Sequence, residues 1–285
     1  MMFMMSGGIT IIKEMLHILR PSERKVAEYI LEEPGKAIKL TIADLAKASQ
    51  SSEAAIIRLC KRLDFKSFSE LKIRVAGDLQ KPVAEKYYDI LPNEQMKDVV
   101  AKVSTNNIQA IRETMDLINQ DEVEKAVTAI MNCKQLLIYG VGASSIIAQD
   151  AHQKFMRINI QCNTYTDFHI AAVAAANAGP EDVVIGVSHS GSTKEVVEVF
   201  ELASQSTRIS ITKYGQTPLA GLANIRLYTS PTKESSFRSA ATASRMAQLN
   251  IIDILFVALA SMRYEETIKH LDKTREAIQS HKVYE

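Results

Sequence analysis

The chain has 285 residues, which at about 150 residues per domain leaves room for roughly two domains. Hydrophobic residues at 46% and charged residues at 24% fit a folded globular chain and exclude a collagen-like, low-complexity or solvating polymer. With 34 Lys+Arg against 33 Asp+Glu the net charge is +1, so any nucleic-acid or membrane partner must be met by a local patch.

The first residues, MMFMMSGGITII, lack the basic segment of a signal peptide. From Ser22 to about Asp78 the pattern is one of short helices: Val26, Ala27, Ile30 and Leu31 recur at helical spacing, and Pro34-Gly35 closes that segment. Thr41 and Asp44 stand three apart and can cap a helix over Ile42 to Ala48. A short polar turn, Ser49-Gln50-Ser51, leads to a second helix from Ser52 to Leu63 with Ala55, Ile56, Leu59 and Leu63 on one buried stripe.

The opposite side of that second helix carries Ala54, Arg58 and Lys61, with Ser51, Ser52 and Glu53 at its N-terminal end, where a recognition helix meets base edges. From Ile56 to Val75 the basic residues Arg58, Lys61, Arg62, Lys66, Lys72 and Arg74 outnumber Asp64 and Glu70, which makes a local patch suited to phosphates. The candidate DNA contacts are therefore Ser51, Ser52, Glu53, Ala54, Arg58, Lys61, Arg62 and Lys66. A solvated face in a small helical bundle is the plain alternative.

Pro82, Pro92 and the run EKYYD mark a linker, because prolines stop helices and few apolar positions repeat there. The expected division is a helix-turn-helix domain over 1–77, a linker over 78–95 and a second domain over 96–285. After the amphipathic stretch Met96 to Met115, strand-length apolar runs alternate with helical segments: Leu136 to Tyr139, Ile160 to Thr166, Val183 to Val187, Ile209 to Thr212 and Ile225 to Thr229. That alternation predicts an α/β fold, a five-stranded parallel sheet with helices on both faces. The apolar stretch Met246 to Met262, interrupted by Asp253, reads as a buried core helix.

Two strand-to-helix loops carry the chemistry. In LLIYGVGASS, Gly140 and Gly142 allow a close backbone approach and Ser144 adds a hydroxyl at a helix N-terminus. The spacing resembles GxGxxG with Ser145 in the third glycine position, so a dinucleotide site with Asp167 as the ribose acid is one reading. The second loop, VVIGVSHSGSTKE, places Ser188, Ser190, Gly191, Ser192 and Thr193 between a strand and a helix. That many hydroxyls exceed what capping requires and suit a terminal phosphate, which makes a sugar phosphate the better expectation. His169 sits after the second strand at the carboxyl edge of the sheet. Glu234 and Arg238 serve either to hold sugar hydroxyls or as a helix-end acid and a solvated arginine. Cys60, Cys133 and Cys162 make neither a disulfide framework nor a zinc pattern, and fit a reducing cytoplasm. No metal spacing and no Ser-His-Asp elbow is present, so no metal, cofactor or catalytic residue is expected.

The runs SERKVAEYI, SSEAAIIRLCKRLDF, KIRVAGDL, GVGAS, SHSGST and FRSAATASRMAQL, in that order, resemble the RpiR/MurR family of transcription regulators, a helix-turn-helix joined to a SIS (sugar isomerase) domain. The resemblance implies a phosphosugar-controlled DNA-binding regulator rather than an enzyme. It places the phosphate on Ser144, Ser188, Ser190 and Thr193, and the sugar near His169, Glu234 and Arg238. The runs KIRVAGDL, FRSAATASRMAQL and DKTREAIQS look most like the branch answering to N-acetylmuramic acid 6-phosphate or a related amino-sugar phosphate. The implied partners are a double-stranded DNA operator, a phosphorylated amino sugar and further copies of the chain, as a homodimer or tetramer, with no membrane. The alternative is a sugar-phosphate isomerase or lyase with a helical appendage. Many SIS isomerases carry an acid or amide where this chain has Ser192 and His189.

Overall fold

The computed structural model describes residues 7–79, 93–231 and 242–279. Residues 80–92, with Pro82, Pro92 and the EKYYD run of the expected linker, lie outside the described residues, as do 232–241 with Glu234, Arg238 and the start of the FRSAATASRMAQL run. The chain divides into two compact units, Met1–Lys86 with Tyr214–Gln216, and Tyr87–Lys213 with Thr217–Glu285.

The first unit is helical: α1 (Gly8–Met15), a 3-10 turn (Leu16–Ile18), α2 (Pro21–Glu32), α3 (Pro34–Ala37), α4 (Ile42–Ala48), α5 (Glu53–Arg62) and α6 (Phe68–Leu79). Pro34 does more than close α2: as the first residue of α3 it starts another turn, since a proline lacks only an amide that would be unpaired there anyway. The expected stripe is present, with Ala55, Ile56, Leu59 and Leu63 buried against Val26, Ala27, Ile30 and Leu45 in the same core. Asp78, near the end of α6, accepts hydrogen bonds from the amides of Gly7 (2.6 Å) and Ile9 (2.8 Å), and so caps α1 from the far end of the unit.

The second unit holds α7 (Met96–Leu117), α8 (Gln120–Asn132), β1 (Leu136–Gly140), α9 (Ala143–Arg157), β2 (Cys162–Thr164), α10 (Phe168–Ala176), β3 (Val183–Val187), α11 (Lys194–Leu202), β4 (Thr207–Lys213), α12 (Pro218–Leu222), β5 (Ile225–Thr229), α13 (Thr242–Met262) and α14 (Tyr264–Gln279). The sheet has five strands in the order β2-β1-β3-β4-β5, every pair parallel. Side chains alternate across it. Leu136, Ile138, Ile185 and Ile209 pack with α8, α9 and α13 on one face, and Leu137, Tyr139 and Val184 with α10, α11 and α12 on the other. All five residues of β1 and of β3 are buried, which is why these runs are continuously apolar. Gly186 interrupts β3 because the Phe200 ring of α11 lies where a Cβ would go.

The second strand is shorter than the expected Ile160 to Thr166. It pairs only with β1, over Cys162 to Thr164, and leaves the sheet while β1 runs on to Gly140 beside β3. Helix α13 has the length and hydropathy of a membrane span, but Ala247, Ile251, Ile252, Leu255 and Leu259 are buried against the sheet unit. It is a core helix here.

Candidate functional site

In the helical unit, the side chain of Thr41 accepts from the amide of Asp44 at 3.2 Å and fixes the start of α4, and Ser52 accepts from Ala55 at 3.2 Å and fixes the start of α5. The turn between them is a Schellman closure: the amide of Ser51 bonds Ala46 O at 2.9 Å and that of Gln50 bonds Lys47 O at 3.1 Å. It puts Gln50 at φ 49°, left-handed. Ser51 is tied inward as well, its hydroxyl donating to Ser22 O at 2.8 Å, so it holds the turn against α2.

Ser52, Glu53, Ala54, Arg58, Lys61 and Lys66 are exposed, whereas Arg62 is partly buried. The structure brings Arg58 and Arg62 together on one residue absent from the sequence expectations, Glu23. Its side chain has no solvent exposure; Oε2 accepts from Arg62 Nε at 2.8 Å and from the Arg20 amide at 3.3 Å, and Oε1 faces Arg58 Nε at 3.7 Å. Arg62 therefore supports the face from behind while Arg58 projects from it. Two more basic residues of the patch are engaged: Arg74 pairs with Glu70 at 3.0 Å, and Lys72 donates to Leu40 O at 3.2 Å above the Phe68 ring. Glu23 was discernible as the third residue of a proline-started helix, a capping-box position. Ile57 was also missed. It falls outside the buried stripe and is 49% exposed.

In the sheet unit, both glycine-serine loops leave the carboxyl ends of neighbouring strands, since Gly140 of β1 is in register with Val187 of β3. The chain turns from β1 toward β2 on one side and from β3 toward β4 on the other, so the loops meet at the point where strand order reverses. Gly142 has φ 60° and ψ −126°, outside the range of ordinary side chains, and gives α9 no side-chain cap. Thr193 likewise makes no side-chain cap for α11. Two helix N-termini thus lie open to an anion.

The second loop is internally wired. Ser188 is 3% exposed; its Oγ lies 2.9 Å from Thr193 Oγ1 and accepts from the Gly191 amide at 3.2 Å. The Ser192 amide donates to Ser190 Oγ at 3.2 Å. A hydroxyl has one proton and two acceptor sites, so a hydroxyl that accepts from a backbone amide has its proton directed elsewhere. Ser190 Oγ also lies 3.5 Å from Ser188 Oγ, and Ser190 is itself exposed. Gly191, at φ 64°, is pressed against Thr212 and Thr217, where a Cβ would meet Thr212 Oγ1 at 2.6 Å.

Ser144 lies in the first turn of α9 and Ser192 on the second loop, whereas Ser145 turns back to bond Gly142 O at 2.7 Å. Asp167 accepts from the Ile170 amide at 3.0 Å as the cap of α10, which gives it a structural role in place of a ribose contact. His169 is exposed in the first turn of α10 with its ring edge toward Phe168. Burial, reinforced by the carboxylates of Glu195 and Asp167, raises the Tyr139 phenol above its ordinary value, so it stays neutral at the end of β1. Among the described residues no group of His, Cys, Asp and Glu could hold a metal ion.

Residues 6–82 match the helix-turn-helix domain of the rpiR family and residues 129–258 match the SIS domain. An uncharacterised HTH-type transcriptional regulator of Bacillus subtilis, YbbH, is 47% identical over 98% of this chain and 100% of its own length. A second uncharacterised HTH-type transcriptional regulator, from Caldanaerobacter subterraneus, is 41% identical over 98% of this chain and 99% of the relative. Among solved structures, the Vibrio vulnificus NanR protein complexed with ManNAc-6P is similar over 97% of this chain and 100% of that one, with TM-score 0.62 and 26% identity.

Proposed function

Since the chain belongs to the rpiR family of helix-turn-helix transcriptional regulators with a SIS domain, we propose that it is a regulator whose operator affinity is set by an amino-sugar 6-phosphate bound in the sheet unit. N-acetylmuramic acid 6-phosphate is the first compound to try. The observation that carries this reading is the meeting of two uncapped helix N-termini and a hydroxyl-rich loop on adjacent strands β1 and β3. Backbone amides with Ser144, Ser190, Ser192 and Thr193 would take the phosphate by neutral hydrogen bonds, and Ser188 would keep Thr193 in place. His169, Glu234 and Arg238 are the candidates for the sugar ring. NanR was solved with ManNAc-6P, which supports an amino-sugar phosphate as the ligand class.

On the helical unit, Ser52, Glu53, Ala54 and Arg58 form the proposed reading face, with Lys61 and Lys66 toward phosphate and Arg62 and Ser51 holding the face in place. A homodimer or tetramer would present two such faces to half-sites about one helical turn apart. Ligand controls DNA only if it binds one arrangement of the paired faces better than the other. A coupling of about 1 to 3 kcal/mol would change operator affinity about 5- to 150-fold.

The test is a thermal-shift panel of amino-sugar 6-phosphates beside their unphosphorylated parents. A ligand at 100 times its dissociation constant adds about 2.7 kcal/mol to stability. Stabilisation by a phosphosugar and not by its parent supports the sensor; equal effects of both, or of neither, count against it. Turnover of the stabilising compound would instead favour an isomerase or lyase.

A further inference from the structure

Helix α5 exposes one large apolar side chain in the middle of a polar face. Ile57 is 49% exposed, while Ala55, Ile56, Leu59 and Cys60 on the other side of the helix are buried. At 100° per residue, Glu53, Ile57 and Lys61 form one row at i, i+4 and i+8, and Ala54 and Arg58 a second row beside it. Ile57 therefore lies inside the exposed arc and not on its border with the core. Leaving an isoleucine there keeps apolar surface in water that a polar side chain would not.

The face around it has the features of a base-reading surface. Ser52 caps the N-terminal end, small Ala54 permits close approach, and Arg58 is set in place by buried Glu23. An isoleucine cannot hydrogen-bond to a base edge. In the major groove the apolar group available to it is the 5-methyl of thymine. We propose that Ile57 is a specificity-determining residue that packs on a thymine methyl in each operator half-site. The assignment rests on the DNA-binding role of α5 and adds to it which base the apolar position selects.

The test begins with a random duplex library enriched on the full-length chain. Each thymine of the enriched duplex is then replaced in turn by deoxyuridine, which removes only the methyl. The unmodified chain is expected to lose about fourfold in affinity at one thymine per half-site, the equivalent of one buried carbon group. Ile57→Val should keep that sensitivity, and Ile57→Ala, a good helix former at an exposed position, should bind both duplexes alike. An equal loss in Ile57→Ala, or indifference of the unmodified chain to every replacement, overturns the assignment and leaves DNA binding standing. Failure of the unmodified chain to enrich any duplex overturns the DNA-binding role of α5 itself.

Discussion

Arg62 donates through Nε to Oε2 of Glu23 at 2.8 Å, across 39 residues of sequence, and the carboxylate that receives it is fully buried. A buried charge left without its partner is strongly destabilising, whereas loss of both charges is tolerated far better. Arg62→Met should therefore cost at most about 3 kcal/mol, the lower end of the range for broken buried pairs, because Arg58 still faces Glu23 Oε1 at 3.7 Å and Arg62 keeps 29% of its side chain exposed. The double variant Glu23→Gln/Arg62→Met should recover part of that loss. Urea denaturation of the two variants measures the difference, and equal instability would show that the pair is not coupled.

Arg58 and Lys61 should separate by what they do on DNA. Arg58 stands 3.7 Å from Glu23 Oε1, outside hydrogen-bond range, with 47% of its side chain exposed: it is oriented and still available. Arg58→Ala is expected to weaken binding to a specific duplex by about 1 to 3 kcal/mol and to relax its sequence preference. Lys61→Ala should weaken specific and random duplexes alike and lower the salt slope by about 1. Anisotropy titrations between about 50 and 200 mM salt distinguish the two outcomes.

The two positive-φ glycines of the proposed phosphate loops differ in their surroundings. A Cβ on Gly142 would meet nothing within 4 Å, so Gly142→Ala carries only backbone strain, about 1 to 3 kcal/mol. A Cβ on Gly191 would strike Thr217 and Thr212, so Gly191→Ala must also displace those residues and should cost more. Melting temperatures with and without phosphosugar should show the larger loss, and the lost ligand response, in Gly191→Ala. The reverse order of stability losses would show that Thr212 and Thr217 yield easily, and a phosphosugar shift kept by both variants would place the ligand elsewhere.

Burial pushes the thiols of Cys60, Cys133 and Cys162 from 9.0 up to about 11. Thiolate is the reactive form, so all three should resist alkylation at pH 8 in the folded chain and react once it is unfolded. The folded values lie above the unfolded ones, so the stability from these thiols is complete below about pH 9 and is lost as pH rises toward 11. Denaturation midpoints at pH 8 and 10.5 should fall in that order; rapid labelling of the native chain would contradict the burial.

Elements whose stability comes from local or face-wise patterning were legible in the residues. The helix Ile42–Ala48 and the strands Val183–Val187 and Ile225–Thr229 have the expected bounds, because a cap fixes the first, continuous burial the second and alternating burial the third. The edge strand β2 was overestimated: it has a neighbour on one side only and leaves β1 after Thr164, before the apolar-polar pattern of IQCNTYT ends. The two glycine- and serine-rich loops were legible as strand-to-helix turns from their spacing. The internal bonding of Ser188, the capping by Asp167 and the grip of Glu23 on two arginines were not, as each depends on which distant or exposed groups the fold brings together.

Asp78 has a consequence beyond holding α1 in place. Its two oxygens tie α6 to amides 71 and 69 residues earlier in the sequence, so the start of α1 cannot unwind without giving up a carboxylate that α6 holds. The amide protons of α1 should then exchange with solvent in step with those of α6, as one cooperative unit and not as a fraying end.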